Sequence, residues 1–305
     1  MNTTAFLLLS TLLAAEPLVP GDYTRTLQHD GRSRSYIVHI PPGYDPKQPT
    51  PVVLAFHGSG NNAEHMIRLC GLIGTADEKG FIAVYPNGTG RLRRRLSWNG
   101  GNCCTYAQRN CVDDVGFTRC LLDDLATVAN VDSKRVFATG ISNGGILCYR
   151  LASELSDRIA AIAPISGTMG TAICNPERPV SVMHFHGTDD RIVPFNGGKG
   201  LGDRILGKPV FVSVDQTIQT WVKADGCPES PVVVCEPTKV DDGTSVQRKT
   251  YGPGNDGSEV VLFTINGGGH IWPERDSKGR FLGKSTHNIS ANDLMWEFFQ
   301  RHPMK

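Results

Sequence analysis

Long apolar runs are scarce in this chain, and so is any excess of charge of one sign. Across 305 residues, 31 Lys and Arg nearly cancel 30 Asp and Glu, leaving a formal net charge of +1. That balance gives no reason to expect nucleic acid or a membrane as partner. The apolar core at the start, Ala5 to Ala15, is too short to span a bilayer. It has the length of a signal peptide, with Ala14-Ala15 before Glu16-Pro17 as a cleavage region, although no Lys or Arg precedes it and Leu13 is bulky for its position. Residues 1–15 are therefore read as a signal peptide and 16–305 as one catalytic domain. Repeats, low-complexity segments and a linker long enough to divide the chain are absent.

Zinc-type cysteine spacing is also missing. The nine cysteines stand at 70, 103, 104, 111, 120, 148, 174, 227 and 235, with no C-x-x-C among them. Disulfides in an oxidising compartment account for so many better than a metal does, and an odd count leaves at least one thiol free. Cys227 and Cys235 bracket a short loop and form the first expected bridge; Cys103 or Cys104 with Cys111 forms the second. The single basic cluster, Arg91-Leu92-Arg93-Arg94-Arg95, has no interleaved aromatics and reads as a solvated face, with an acidic substrate or polymer as the other reading.

What the chain does contain is Arg135 to Leu151, R-V-F-A-T-G-I-S-N-G-G-I-L-C-Y-R-L. A β-rich run, Val136 to Ile141, passes into a helical one across Gly140-Ile141-Ser142-Asn143-Gly144 with almost no loop, which is the G-x-S-x-G nucleophile elbow. A turn this tight needs glycine two residues either side of Ser142 and lifts its hydroxyl over the N-terminus of the following helix, where free N–H groups favour developing negative charge.

A serine needs a base, and the base needs an orienting acid. Both follow at strand ends. Val180 to His186 reads as a buried strand running into Gly187-Thr188-Asp189-Asp190, and Val260 to Ile265 as one ending in Asn266-Gly267-Gly268-Gly269-His270. Groups at the carboxyl ends of strands share one edge of an open α/β sheet. Ser142 is assigned as nucleophile, His270 as general base and then acid, and Asp190 as the orienting acid, with Asp189 its rival. Pro51 to Phe56 runs into His57-Gly58-Ser59-Gly60-Asn61-Asn62, where backbone donors for an oxyanion are expected from Ser59 and Asn143; His57 is read as structural. His184 and His186 share a strand face, but no carboxylate stands in ligand spacing, so no metal is expected. Cys148 lies inside the helix beyond the elbow, not on it.

In chain order, strands are expected at Tyr36–Ile40, Pro51–Phe56, Phe81–Tyr85 and Ile159–Ser166, besides those named. Helices are expected over Ala63–Lys79, from Asp114, from a Ser213/Gln216 capping box to Ala224, and over Asn292–Arg301. Val232–Val234 and Gln247–Tyr251 read as a hairpin on the sheet's edge. This alternation indicates an α/β protein with a mostly parallel sheet covered on both faces.

The runs H-G-S-G-N-N at 57, S-W-N-G-G-N-C-C at 97, V-D-D-V-G-F at 112, D-S-K-R-V-F-A-T-G-I-S-N-G-G at 132, R-P-V-S-V-M-H-F-H-G-T-D-D-R-I-V-P-F at 178 and G-G-G-H-I-W-P at 267 resemble the secreted polyhydroxybutyrate depolymerase and feruloyl esterase group of α/β-hydrolases, related to carbohydrate esterase family 1. The resemblance runs from about Tyr36 to the C-terminus. It implies the α/β-hydrolase fold, a secreted serine carboxylesterase without metal or organic cofactor, and Asp190 rather than Asp189 as the acid. The implied substrates are plant cell-wall hydroxycinnamate esters or hydroxyalkanoate oligomers, with acetylxylan or another carbohydrate ester as the alternative. The sequence departs at Ser153, where many relatives carry cysteine, so a family disulfide to Cys174 is missing or rerouted to Cys148. A serine peptidase lacks an amine-binding or large capping domain here, and a binding protein without turnover is at odds with an intact Ser142, Asp190 and His270. Trp98, Phe195 and Trp272 are the candidates to stack on an aromatic acid or sugar, or else belong to the core.

Overall fold

The computed structural model describes residues 16–92, 94–201, 210–276 and 279–305; the expected signal peptide and Arg93 lie outside the described residues. Ten strands form one sheet. They are β1 (Gly21–His29), β2 (Arg32–Ile40), β3 (Thr50–Phe56), β4 (Ile82–Pro86), β7 (Val131–Ile141), β8 (Ala161–Ile165), β9 (Ser181–Gly187), β12 (Val232–Cys235), β13 (Ser245–Tyr251) and β14 (Val260–Asn266). The pairs β5 (Thr89–Leu92) with β6 (Arg95–Ser97), and β10 (Gly198–Lys199) with β11 (Val210–Phe211), make separate two-stranded ribbons.

The spatial order is β1-β2-β4-β3-β7-β8-β9-β14-β13-β12. From β4 to β14 the strands are parallel, and antiparallel hairpins close both edges. Alternation along each central strand splits the interior in two. On one face Val52, Leu54 and Phe56 of β3 pack with α4 (Asp114–Ala126), α5 (Asn143–Glu154) and α6 (Val214–Ala224) through Phe117, Leu147 and Trp221. On the other, Val53 and Ala55 join α1 (Ala63–Cys70), α2 (Leu72–Lys79) and α7 (Ala291–Arg301) through Met66, Leu72 and Phe299. A strand buried on both faces is largely apolar, as β3 and β8 are, whereas the equally buried β9 carries His184 and His186. No helix among the described residues is long and apolar enough to cross a membrane.

The helix expected over Ala63–Lys79 is two helices. Gly71 adopts a left-handed φ of 60° and its N–H bonds the Ile67 carbonyl, ending α1. Strand β1 was absent from the sequence reading because its residues alternate between half-buried and exposed; Asp30 and Gly31, both at positive φ, turn it into β2. The Ser213 cap is as expected, its Oγ accepting from Gln216 N–H at 3.0 Å.

Neither expected disulfide forms. The sulfurs of neighbouring Cys103 and Cys104 are bonded to each other, leaving Cys111 free and exposed beyond α3 (Thr105–Arg109). Cys227 is buried beside the Ser258 carbonyl, whereas extended β12 carries Cys235 away to the exposed sheet edge. Cys148 and Cys174 are also free. Where relatives are expected to carry a cysteine, Ser153 Oγ accepts the N–H of Asn175, next to Cys174, at 3.1 Å.

Candidate active site

Strand β7 ends at Ile141, and α5 begins at Asn143, so Ser142 alone makes the turn, with φ 59° and ψ −125°. Such a backbone costs a non-glycine residue of order 1–3 kcal/mol and persists only where its surroundings enforce it. Here they do: Ser142 N–H donates to the Ile165 carbonyl of β8, and its own carbonyl accepts from Ile146 N–H, both at 2.9 Å. The flanking glycines are steric requirements. A methyl group on Gly140 would stand 2.7 Å from the Gly144 carbonyl carbon and 2.8 Å from the Phe56 oxygen, and one on Gly144 would collide with that same oxygen.

Asp190 and His270 leave the carboxyl ends of β9 and β14, neighbouring parallel strands. His270 Nδ1 lies 2.7 Å from Asp190 Oδ2, with His270 7% and Asp190 4% exposed. The other carboxylate oxygen of Asp190 accepts the N–H groups of Ile192 (2.8 Å) and Val193 (2.9 Å). Burial pushes the Asp190 carboxyl up, but the facing His270, its hydrogen bond and the nearby His186 outweigh it and hold the group well below the usual carboxylate range. It stays ionised and fixes His270 with Nε2 free to exchange a proton. Asp189 is exposed and takes only the Thr188 hydroxyl, at 3.3 Å. Ser142 and His270 share the sheet edge without a direct hydrogen bond to one another among the described residues.

The loop after β3 is held by three residues. His57 Nε2 accepts Gly88 N–H at 3.1 Å, so Nδ1 carries the proton and donates to the Gly58 carbonyl at 2.8 Å; burial lowers the pKa of this imidazole to about 4, opposed by that bond. Trp98 Nε1–H donates to the His57 carbonyl at 2.9 Å. Asn143 spends its side chain on Trp98, accepting the main-chain N–H at 2.8 Å and donating to the carbonyl at 3.0 Å. The backbone N–H groups of Ser59 and Asn143 have no acceptor among the described residues, as an oxyanion site requires.

Two expected substrate contacts are corrected by their burial. Trp98 is 0% exposed, with its ring against Phe56 and His57. Trp272 is equally buried and donates to Asn292 Oδ1 at 3.1 Å. Both are packing residues that shape loops. Phe195 keeps part of its surface and meets His186 edge-on.

Sequence reasoning missed a buried chain beneath the acid. Tyr149 O–H donates to His184 Nδ1 (2.8 Å), His184 Nε2–H to His186 Nδ1 (3.0 Å), and His186 Nε2–H to the Val193 carbonyl (2.8 Å). Each imidazole nitrogen of the pair has a hydrogen-bond partner, and burial lowers the His184 pKa well below its ordinary value. The only sequence signal was the i,i+2 spacing on β9.

A mostly parallel sheet with a strained serine at the end of β7 and a buried Asp–His pair beyond the ends of β9 and β14 defines an α/β-hydrolase. No family model matches the chain. The esterase-like protein NocK of Nocardia uniformis subsp. tsuyamanensis is 32% identical over 282 residues, covering 88% of this chain and 79% of that protein. Feruloyl esterase B of Piromyces equi is 32% identical over 80% of this chain, which spans only 44% of that longer protein. Feruloyl esterase D of Neurospora crassa is 26% identical, with 93% and 88% covered. Among solved structures, the acetyl xylan esterase from Aspergillus awamori superposes with a TM-score of 0.58 over 91% of this chain and 99% of that one at 13% identity, which shows the shared fold. The sOPH structure gives 0.58 over 95% and 89% at 17% identity. The chain belongs to the esterase family that NocK represents and is a carboxylic ester hydrolase.

Proposed function

We propose that Ser142, His270 and Asp190 are the catalytic triad of an exported esterase that releases carboxylic acids, hydroxycinnamates foremost, from plant cell-wall polysaccharide. The observation that carries this reading is the buried 2.7 Å pairing of His270 with an ionised Asp190 on the sheet edge that also bears the strained Ser142. His270 takes the Ser142 proton as the hydroxyl oxygen attacks the ester carbonyl. The tetrahedral oxyanion is received by the N–H groups of Ser59 and Asn143 at the start of α5. His270 then gives the proton to the leaving alcohol. Water, deprotonated by the same imidazole, cleaves the acyl-serine and frees the acid. The names of the feruloyl esterase relatives support an aromatic acyl group, and Phe195 is the partly exposed aromatic beside the acid loop able to meet it.

The test is acid release from methyl ferulate, p-nitrophenyl acetate, p-nitrophenyl butyrate and a hydroxybutyrate oligomer by wild type and Ser142→Ala. Preference for ferulate, abolished in Ser142→Ala, is the expected result. Preference for the hydroxybutyrate oligomer would replace the cell-wall reading with a polyester one, and release that survives Ser142→Ala would overturn the triad.

A further inference from the structure

A large cavity lies away from the triad. It encloses about 1140 Å³ between the β1–β2 hairpin, the start of α1 and the β5–β6 ribbon, and includes none of Ser142, Asp190 and His270. Five arginines line it, Arg32, Arg34, Arg68, Arg91 and Arg94, against a single acidic residue, Glu64. Arg34 is compensated by Asp114 at 2.7 Å, but Arg32, Arg68, Arg91 and Arg94 have no carboxylate partner among the described residues. Two residues of the basic cluster, Arg91 and Arg94, therefore line a concave site.

Its wall is cationic and polar. Arg34, 3% exposed, is turned into the core, its guanidinium 3.8 Å from the Phe117 ring centroid. The charge a ligand would meet is therefore that of Arg32, Arg68, Arg91 and Arg94, which a carboxylate would offset. The volume exceeds that of ordinary ligand pockets, roughly 300–1,000 Å³, and far exceeds an inorganic anion. Among the lining residues Tyr106 is the one aromatic side chain, while Ser, Thr and Asn are abundant. Hydroxyl and amide side chains suit sugar hydroxyls, and planar guanidinium groups suit a carboxylate.

We propose that this cavity binds a uronic acid residue of the polysaccharide that carries the ester. Placement supports a joint role with acyl transfer. Asn61 and Asn62, on the cavity wall, belong to the loop that carries Ser59, and that loop is tied to the ribbon by Gly60 N–H to Leu96 O at 2.7 Å and Leu96 N–H to Asn61 O at 3.1 Å. A polymer anchored here by its carboxylate presents a neighbouring ester along the oxyanion loop. The inference rests on the esterase reading only for the origin of the sugar; the anion chemistry of the cavity stands without it.

Calorimetric titration of the intact protein tests this with four probes: xylotetraose bearing one methylglucuronate branch, neutral xylotetraose, trigalacturonate and sodium sulfate. The branched acidic oligosaccharide should bind at least about tenfold more tightly than the neutral one. That preference should vanish in Arg32→Gln and Arg68→Gln, while both variants keep wild-type hydrolysis of p-nitrophenyl acetate. Preference for trigalacturonate over the branched xylan fragment supports the uronate site and assigns it to a pectic polymer. Equal binding of acidic and neutral oligosaccharides, sulfate binding without uronate preference, or indifference to both substitutions would overturn the proposal. Uronate binding that persists in a protein with no Ser142-dependent hydrolysis would sink the esterase mechanism and leave the cavity assignment standing.

Discussion

His186 Nε2 sits 3.3 Å from Asp190 Oδ2, on the carboxylate oxygen that also faces His270, yet spends its proton on the Val193 carbonyl at 2.8 Å. Because Val193 N–H in turn bonds Asp190 Oδ1, His186 closes a ring around the acid. His184 and Tyr149 continue the hydrogen-bond chain behind that imidazole. The acid is thus positioned by a buried hydrogen-bond chain as well as by its own loop. His186→Phe fills the space but frees the Val193 carbonyl and His184 Nε2. Loss of these bonds should cost about 1–3 kcal/mol of stability. Loosening of the Asp190 loop should lower kcat by about tenfold with KM little changed. Denaturant titration alongside steady-state kinetics reads both, and an unchanged kcat would show that the chain only packs.

The two aspartates after β9 differ in everything but sequence adjacency. Asp190 is buried, meets His270 and accepts two backbone N–H groups; Asp189 faces solvent. Asp190→Asn leaves an amide where His270 needs an anion and should lower kcat by about 10⁴-fold. Asp189→Asn should stay within about twofold, as surface substitutions away from special features do. The opposite order in p-nitrophenyl acetate hydrolysis would transfer the acid role to Asp189.

The central strands and the elbow were legible because their causes are local. Strands buried on both faces are largely apolar, and each of Ser142, Asp190 and His270 follows such a run across glycine-rich chain. What the sequence hid depends on contacts between distant segments. Strand β1 is half solvated and lacks an apolar run. The Tyr149–His184–His186 chain joins a helix to a strand, and i,i+2 histidines look the same whether they bind a metal or each other. Trp98 was open to two readings because aromatic residues near glycine serve both as ligand contacts and as packing, and its burial under the His57 carbonyl favours packing. The basic run at 91–95 was open to two readings, a solvated face or a contact with an acidic polymer, and the wall that β1 builds beside Arg91 and Arg94 carries no apolar run to announce it.

Glycine at the elbow is open to a direct steric test. Gly140 lies in β7 at ordinary negative φ, so Gly140→Ala has no backbone penalty, and its cost comes from the contacts of the new methyl group with Phe56 O and the Gly144 carbonyl. Overpacking of this kind costs typically about 1–3 kcal/mol. Since the atoms displaced are the backbone of the oxyanion loop's strand and of the helix start, activity should fall more than stability. Thermal unfolding and ester hydrolysis measured on the same preparation check this; a variant with lowered melting temperature and full kcat would show that the elbow tolerates the added carbon.

Asp225 at the end of α6 makes the pH dependence of stability predictable in sign. Its Oδ1 accepts Val180 N–H at 3.0 Å, its Oδ2 has no hydrogen-bond partner among the described residues, and it is fully buried. Burial raises its pKa from 3.8 to about 7, opposed by the Val180 bond and by Arg178. A carboxyl whose pKa is raised on folding contributes stability that is complete below the unfolded value and lost as pH rises through the folded one. Between about pH 4 and pH 7 the Asp225 contribution therefore declines, opposite in sign to that of Asp190, whose lowered pKa favours the fold once the pH exceeds the unfolded carboxylate value. Asp225→Asn keeps an acceptor for Val180 N–H and removes the buried charge. The three-unit shift sets a ceiling of about 4 kcal/mol on the gain at pH 8, because each unit is worth about 1.4 kcal/mol. The variant should therefore unfold at higher denaturant concentration than wild type at pH 8 and at nearly the same concentration at pH 4.5. A gain of equal size at both pH values would mean that the carboxyl is not the cause, and a loss at pH 8 would mean that the attraction of Arg178 outweighs the burial of the charge.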